Sequence, residues 1–182
     1  EKWGMSEPAI LTTLAVGVGI LAGLSVLVFY RSIDVAADII ARVATVLEIP
    51  TSIVAAASLA IGLTVVQLLV HYGNHDSDGE NIPDVMHAVA RRGGVLNLRP
   101  VVIKTLAAAV TLGSGGSLGA EGPVAVLGAA VGSRAGRWLR FRNDRVRLLL
   151  SCGAAAGLSA AFGAPIAGVL FVLEKLVGSF RA

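Results

Sequence analysis

Long uncharged apolar runs, separated by short polar stretches, set the rhythm of this chain. Ala9 to Tyr30 is an uncharged run of 22 residues, enough at about 1.5 Å per residue to cross roughly 30 Å of hydrocarbon. Arg31, Asp34, Asp38, Arg42 and Glu48 follow as a mixed-charge segment suited to one membrane surface. Pro50-Thr51 opens a second run that continues to Val70. The pattern predicts two conventional transmembrane helices.

The remainder departs from that scheme. His71 to Asn81 is polar and turn-rich, and Ile82-Pro83 leads into a short amphipathic piece, Asp84 to Arg92. Arg99-Pro100 begins another apolar helix, with Lys104 near its start, that runs to about Leu112. From Gly122 to Ser133 the apolar run is twelve residues before Arg134, a rise of about 18 Å and well short of a span. Leu148 to Leu173 is an uncharged run of 26 interrupted by Gly163-Ala164-Pro165, so it divides into two pieces. Short apolar segments interrupted by Gly and Pro are the mark of discontinuous helices that end at a binding site near the membrane midplane. The Gly and Ala content around Gly128 to Gly132 and Gly153 to Gly157 fits close helix packing in lipid.

Composition makes the membrane setting firm. The chain has 182 residues, of which 55% are hydrophobic and 15% charged, with a mean hydropathy of +0.78; ordinary soluble domains carry about 25% charged residues. One cysteine, Cys152, excludes an internal disulfide. A net charge of +3 and pI ≈ 9.5 could point to nucleic acid, but the basic residues cluster beside apolar runs, as the positive-inside rule requires. Arg134, Arg137, Arg140, Arg142, Arg145 and Arg147 oppose a single Asp144, and Arg91, Arg92, Arg99 and Lys104 form a second set. These two sets are expected in the cytoplasm, the 31–48 segment outside and the N-terminus inside, in a prokaryotic inner membrane. No cleavable signal peptide is visible, and a start at Glu1 reads as a trimmed sequence.

The chemistry concentrates in Gly113-Ser114-Gly115-Gly116-Ser117-Leu118-Gly119-Ala120-Glu121-Gly122-Pro123. Thr105 to Ala120 and Gly122 to Ser133 carry no charge, so Glu121 stands alone in apolar sequence. An acid there is costly and marks a functional site by default. Pro123 suits the first turn of a helix. A helix opening inside the bilayer aims free N–H groups at one point and carries about half a positive elementary charge, which attracts anions.

These residues carry a resemblance. The 113–123 stretch resembles the second signature of the CLC chloride channels and proton-coupled chloride exchangers. Gly153-Ala154-Ala155-Ala156-Gly157-Leu158-Ser159-Ala160-Ala161-Phe162-Gly163-Ala164-Pro165-Ile166-Ala167-Gly168-Val169-Leu170-Phe171 resembles that family's next conserved block. The resemblance implies an all-α, polytopic membrane protein of tilted, discontinuous helices whose N-termini converge on a midplane anion site. It implies the N-terminal one of two inverted repeats over residues 1–182, with the second repeat absent from this chain. By resemblance, Glu121 is the gating and proton-carrying glutamate, and Gly122, Pro123, Val124 and Ala125 line the anion site, Pro123 without an N–H to offer. The family's first signature, a Gly-Ser-Gly-Ile-Pro loop, falls on Gly79-Glu80-Asn81-Ile82-Pro83. Glu80 replaces a neutral serine donor, so either it turns away and Asn81 with the backbone serves, or that inner site is weak. Glu174 is the proton-pathway candidate, but Lys175 follows where exchangers often carry a second acid, which points towards passive conduction or coupling by another route.

What the resemblance implies is transport of chloride or a related anion, channel-like (as in the family's voltage-gated members) or proton-coupled, with no enzyme activity, no cofactor beyond the transported ion and no metal. The implied partners are membrane lipid, a second CLC repeat and a second copy in a homodimer, with no nucleic acid. A half-length, non-conducting module that assembles with a complementary chain is the alternative. An intramembrane hydrolase fits poorly, since no histidine lies at membrane depth to activate a serine. Plainer roles compete at each position. Glu121 could be a helix-capping acid, Glu80 a solvated loop acid, and Ser114 and Ser117 back-bonded turn residues. His71 and His75 with Asp76 and Asp78 fit a polar loop better than a metal site. Arg134 to Arg147 would set topology and meet lipid headgroups, and Glu174-Lys175 could be interfacial charges.

Overall fold

Glycine decides how these helices pack. On α5 (Glu121–Trp138), Gly128, Gly132 and Gly136 recur every four residues and form one stripe. On α6 (Asn143–Phe162), Gly153 and Gly157 do the same. A Cβ at Gly128 would collide with the carbonyl of Gly153, and one at Gly132 with the carbonyl of Leu149. The two backbones therefore touch, antiparallel, with no side chain between them, the small-residue packing expected where no hydrophobic force separates helix from lipid. Val124, Ala129, Leu149, Leu150 and Ala154, all essentially without exposure, close the core around this seam.

In this computed structural model, residues 7–46, 50–73 and 82–178 are described. The remaining helices are α1 (Glu7–Val46), α2 (Thr51–Gly73), α3 (Ile82–Ala90), α4 (Leu98–Gly113) and α7 (Pro165–Val172), the last running into one π-helical turn, Leu173–Val177. Among the described residues there is no strand. α1, α2 and α6 are long and apolar enough to cross a membrane. α1 packs parallel to α6, where Gly19 faces Ala156 and Gly23 faces Ala160. α2 packs antiparallel to α4: Gly62 lies against Ser114 at one end, and Gly73 against Ile103 at the other. The molecule is an all-helical, polytopic membrane fold.

Two expectations need correction. The first helix does not end with its apolar run at Tyr30, because α1 continues through the mixed-charge segment to Val46 without a break. Its side chains show why: Ile33, Ala36, Ile40 and Ala44 turn inward at helical spacing, while Arg31, Asp34, Asp38 and Arg42 form the exposed stripe. Forty residues rise about 60 Å, so α1 overruns any hydrocarbon core. Likewise, α5 does not stop where its apolar run ends at Ser133 but continues through Arg134 and Arg137 to Trp138. Apolar length and helix length part company here, since Arg is a good helix former and needs only an outward-facing position. The break at Gly163-Ala164-Pro165 is as expected. Gly163 ends α6 in the left-handed region, with φ 61°, and Pro165 opens α7.

A buried hydroxyl ties the chain's polar connections to α5. Ser133 Oγ donates to the Gly94 carbonyl at 2.7 Å and accepts from Leu96 N–H at 3.1 Å, with no exposure of its own. Arg137 Nη2 donates to the Leu96 carbonyl at 2.8 Å. The α3–α4 connection is thereby held beside the C-terminal half of α5.

Candidate functional site

The site forms because α4 is made to stop. Gly116 N–H donates to the Thr111 carbonyl at 2.8 Å and Gly115 N–H to the Leu112 carbonyl at 3.1 Å, the paired bonds of a Schellman end. Gly115 sits between them at φ 93°, a conformation that a Cβ disfavours. Ser114 is buried, donates back to the Thr111 carbonyl at 3.0 Å, and packs on Gly62 of α2. Its hydroxyl is a turn-closing group. Ser117, two residues past Gly115, is exposed.

Residues 116–119 run without regular structure and α5 opens at Glu121. Ala120 caps it with no side-chain hydrogen bond. Val124 N–H is already engaged with the Ala120 carbonyl at 3.1 Å, and Val124 and Ala125 are buried. Pro123 has no N–H, so the amides without an intrahelical acceptor at this end are those of Ala120, Glu121 and Gly122. Nothing lies within 4 Å of the position a Cβ would take at Gly122, so its Cα is uncrowded.

Glu121 is exposed in the isolated chain, and its carboxylate folds back over the preceding loop. A Cβ at Gly119 would stand 2.5 Å from Glu121 Oε2. A cavity of ≈ 270 Å³ lies at this end of α5, walled by Leu118, Gly122 and Pro123 on one side and by Val66, Lys104 and Thr111 on the others; Glu121 is not among the residues that line it. Lys104 is half-buried and makes no ion pair or hydrogen bond among the described residues. Sequence reasoning had grouped Lys104 with the basic loops; the signal for its place was its solitary position inside an apolar helix.

The other predicted residues are distributed differently. Gly79, Glu80 and Asn81 lie outside the described residues, as do His75, Asp76 and Asp78. Ile82, half-buried, and exposed Pro83 open α3. Glu174 and Lys175 form an ion pair at 3.0 Å within the π-helical turn, both exposed. Among the described residues there is no group of three or more His, Cys, Asp or Glu side chains able to hold a metal.

Broken helices packed through glycine, several of them long and apolar enough to cross a bilayer, define an integral membrane protein. Residues 61–182 match the family described as voltage gated chloride channel, and the chain belongs to that family. Its relatives include the H(+)/Cl(-) exchange transporters ClcA of Yersinia pestis bv. Antiqua (strain Angola), 35% identical over 181 residues, and of Klebsiella pneumoniae (strain 342), also 35% identical over 181 residues. Each alignment covers 96% of this chain, and 37% and 38% of the respective relatives. A ClcB-like protein of Ralstonia nicotianae, named for chloride channels, is 38% identical over 128 residues, 68% of this chain and 29% of its own length. The chain thus spans well under half the length of these relatives.

Proposed function

We propose that this chain forms part of a pathway for chloride or a related anion, with Glu121 as its gate. The observation that carries this reading is the position of that carboxylate. It rests at the mouth of α5, over Gly119, next to Gly122, whose amide has no intrahelical acceptor and which lines a cavity at this end of the helix. Free N–H groups at a helix end offer partial positive charge, enough to replace part of a halide's hydration without trapping it. Lys104, in the wall of the same cavity, adds a full positive charge that draws anions in.

A carboxylate and an anion cannot share that mouth, because like charges at close quarters repel strongly in a site of low dielectric. Glu121 therefore closes the path when ionised and leaves it when protonated. The names of the relatives, exchangers and a channel-type protein, support transport of chloride, either coupled to protons or passive. Gly79 to Pro83 is the matching candidate for an inner anion site, and Glu174 for an inner proton relay. As these relatives are more than twice as long as the matched region, a complete path would draw on a second repeat in the same assembly.

The test is anion flux into proteoliposomes as a function of pH. Glu121→Gln is expected to make flux flat with pH, within about twofold across the range in which the wild-type protein responds to acid, because the neutral amide mimics the protonated acid. Undiminished pH dependence in that variant removes Glu121 as the gate. Reversal potentials under a proton gradient then separate exchange from passive conduction.

A further inference from the structure

We propose that the groove between α1, α4 and α5 is a binding site for one anionic phospholipid, its phosphate held at Arg134. The groove encloses ≈ 990 Å³. Its walls are apolar, formed by Leu21 and Val28 of α1, Val102 and Leu106 of α4, and Leu127 and Val131 of α5. Small residues deepen it: a Cβ at Gly17 would meet nothing within 4 Å. This face lies away from the mouth of α5 and takes no part in the anion pathway proposed above.

One end of the groove is polar. Arg134 and Trp138 stand one helical turn apart on the groove face of α5, and Trp138 is 77% exposed. The α3–α4 connection is bound to Ser133 and Arg137, so Leu98, at the start of α4, shares this rim. Arg134 makes no ion pair or hydrogen bond among the described residues, leaving its guanidinium available. A fork of five N–H donors matches a phosphate, and an indole at the same level suits the headgroup boundary. Arg140, two residues beyond Trp138, adds to the positive charge of the rim, which favours an anionic headgroup over a zwitterionic one.

Charge decides between lipid and protein as the occupant. α1 walls the groove from Thr13 to Ser32, about 28 Å and close to a full ~30 Å hydrocarbon core, so length alone admits either. An apolar helix laid there would leave the Arg134 guanidinium without a counter-charge. A phospholipid brings its own phosphate to that residue and acyl chains to the apolar walls.

The experiment is native mass spectrometry of the full-length protein in mild detergent, with phosphatidylglycerol or phosphatidylcholine of identical chains. One phosphatidylglycerol per subunit is expected to be retained in preference to phosphatidylcholine. Arg134→Gln should lower its retention by about fivefold, the effect of one basic residue at an anionic surface. Leu106→Trp, at a partly exposed wall position that tolerates bulk, should lower retention of both lipids by filling the groove. Arg142→Gln, outside the groove, should leave retention unchanged. Equal losses in Arg134→Gln and Arg142→Gln would mean diffuse surface charge, and no loss in either Arg134→Gln or Leu106→Trp would mean no site; both overturn the proposal. A Leu21→Cys side chain that a membrane-soluble maleimide cannot reach after delipidation would show a protein segment in the groove, and overturns it too. Lipid retention is read without ion flux, so this inference and the transport reading fail separately.

Discussion

At the level of single residues, the absence of a side chain at Gly119 matters as much as the acid at Glu121. The carboxylate rests where a Cβ at Gly119 would be. Gly119 has ordinary backbone geometry, and what an added methyl meets is the far end of a flexible side chain, so the protein can accommodate it at little cost to stability. Gly119→Ala is expected to push the carboxylate off its resting place and shift the pH response of flux. The midpoint of thermal unfolding in detergent should stay within about 2 °C of wild type, as suits a change of a few tenths of a kcal/mol in a chain of this size. A flux–pH profile identical to that of the wild-type protein would show that the resting contact does not influence the gate. Glu121 was legible from sequence because charge is absent on both sides of it over a total of 28 residues, 16 before and 12 after. Gly119 was not, because a glycine in a turn-rich loop has many possible reasons to be there.

Among the helices, glycines divide into those that touch another backbone and those that do not. Gly132 is of the first kind: a Cβ there would strike the Leu149 carbonyl and come within 2.9 Å of Leu150 Cα, both main-chain atoms that cannot swing aside. Gly17, in the middle of α1, has open space. Gly132→Ala should therefore destabilise the fold by about 1–3 kcal/mol, as overpacking does. Gly17→Ala should stabilise it by about 0.5–1 kcal/mol through helix propensity alone. Reversible unfolding in mixed micelles gives both values, and equal effects at the two positions would refute close α5–α6 contact. The glycine and alanine content around Gly128 to Gly132 and Gly153 to Gly157 announced close packing in the sequence. The partner helix and the antiparallel register were not legible, because small residues serve any close neighbour alike. Helix limits were misjudged for a related reason. Charges at Arg31 and Arg134 end the apolar runs, but an α-helix can place such residues outward and continue.

For the molecule as a whole, the helix ends sort into two faces that differ in charge. Asn143 lies against Gly93, the Arg147 backbone against Gly94, and Ser133 and Arg137 bond the 94–96 connection. The starts of α4 and α6 and the last turn of α5 thus share one face, with Arg91, Arg92, Arg99 and the arginines of 134–147. The opposite face gathers the ends of α1 and α4, since Gly113 packs on Ala36 and the Ile33 carbonyl. It carries Arg31 and Arg42 balanced by Asp34 and Asp38. α1 continues another ten residues past Ala36, about 15 Å, so the 114–120 loop and Glu121 are recessed below its end. Positive charge retained in the cytoplasm would place the arginine face inside and the end of α1 outside. This orientation can be read directly in a Cys152→Ser background, which removes the one cysteine of this sequence. Val46→Cys, on a residue 80% exposed, should react with a membrane-impermeant maleimide on intact cells. Asp144→Cys, whose native side chain is 79% exposed, should react only after permeabilisation. The reverse pattern would invert the protein, turn the Glu121 mouth towards the cytoplasm and make Glu121 a sensor of internal rather than external protons.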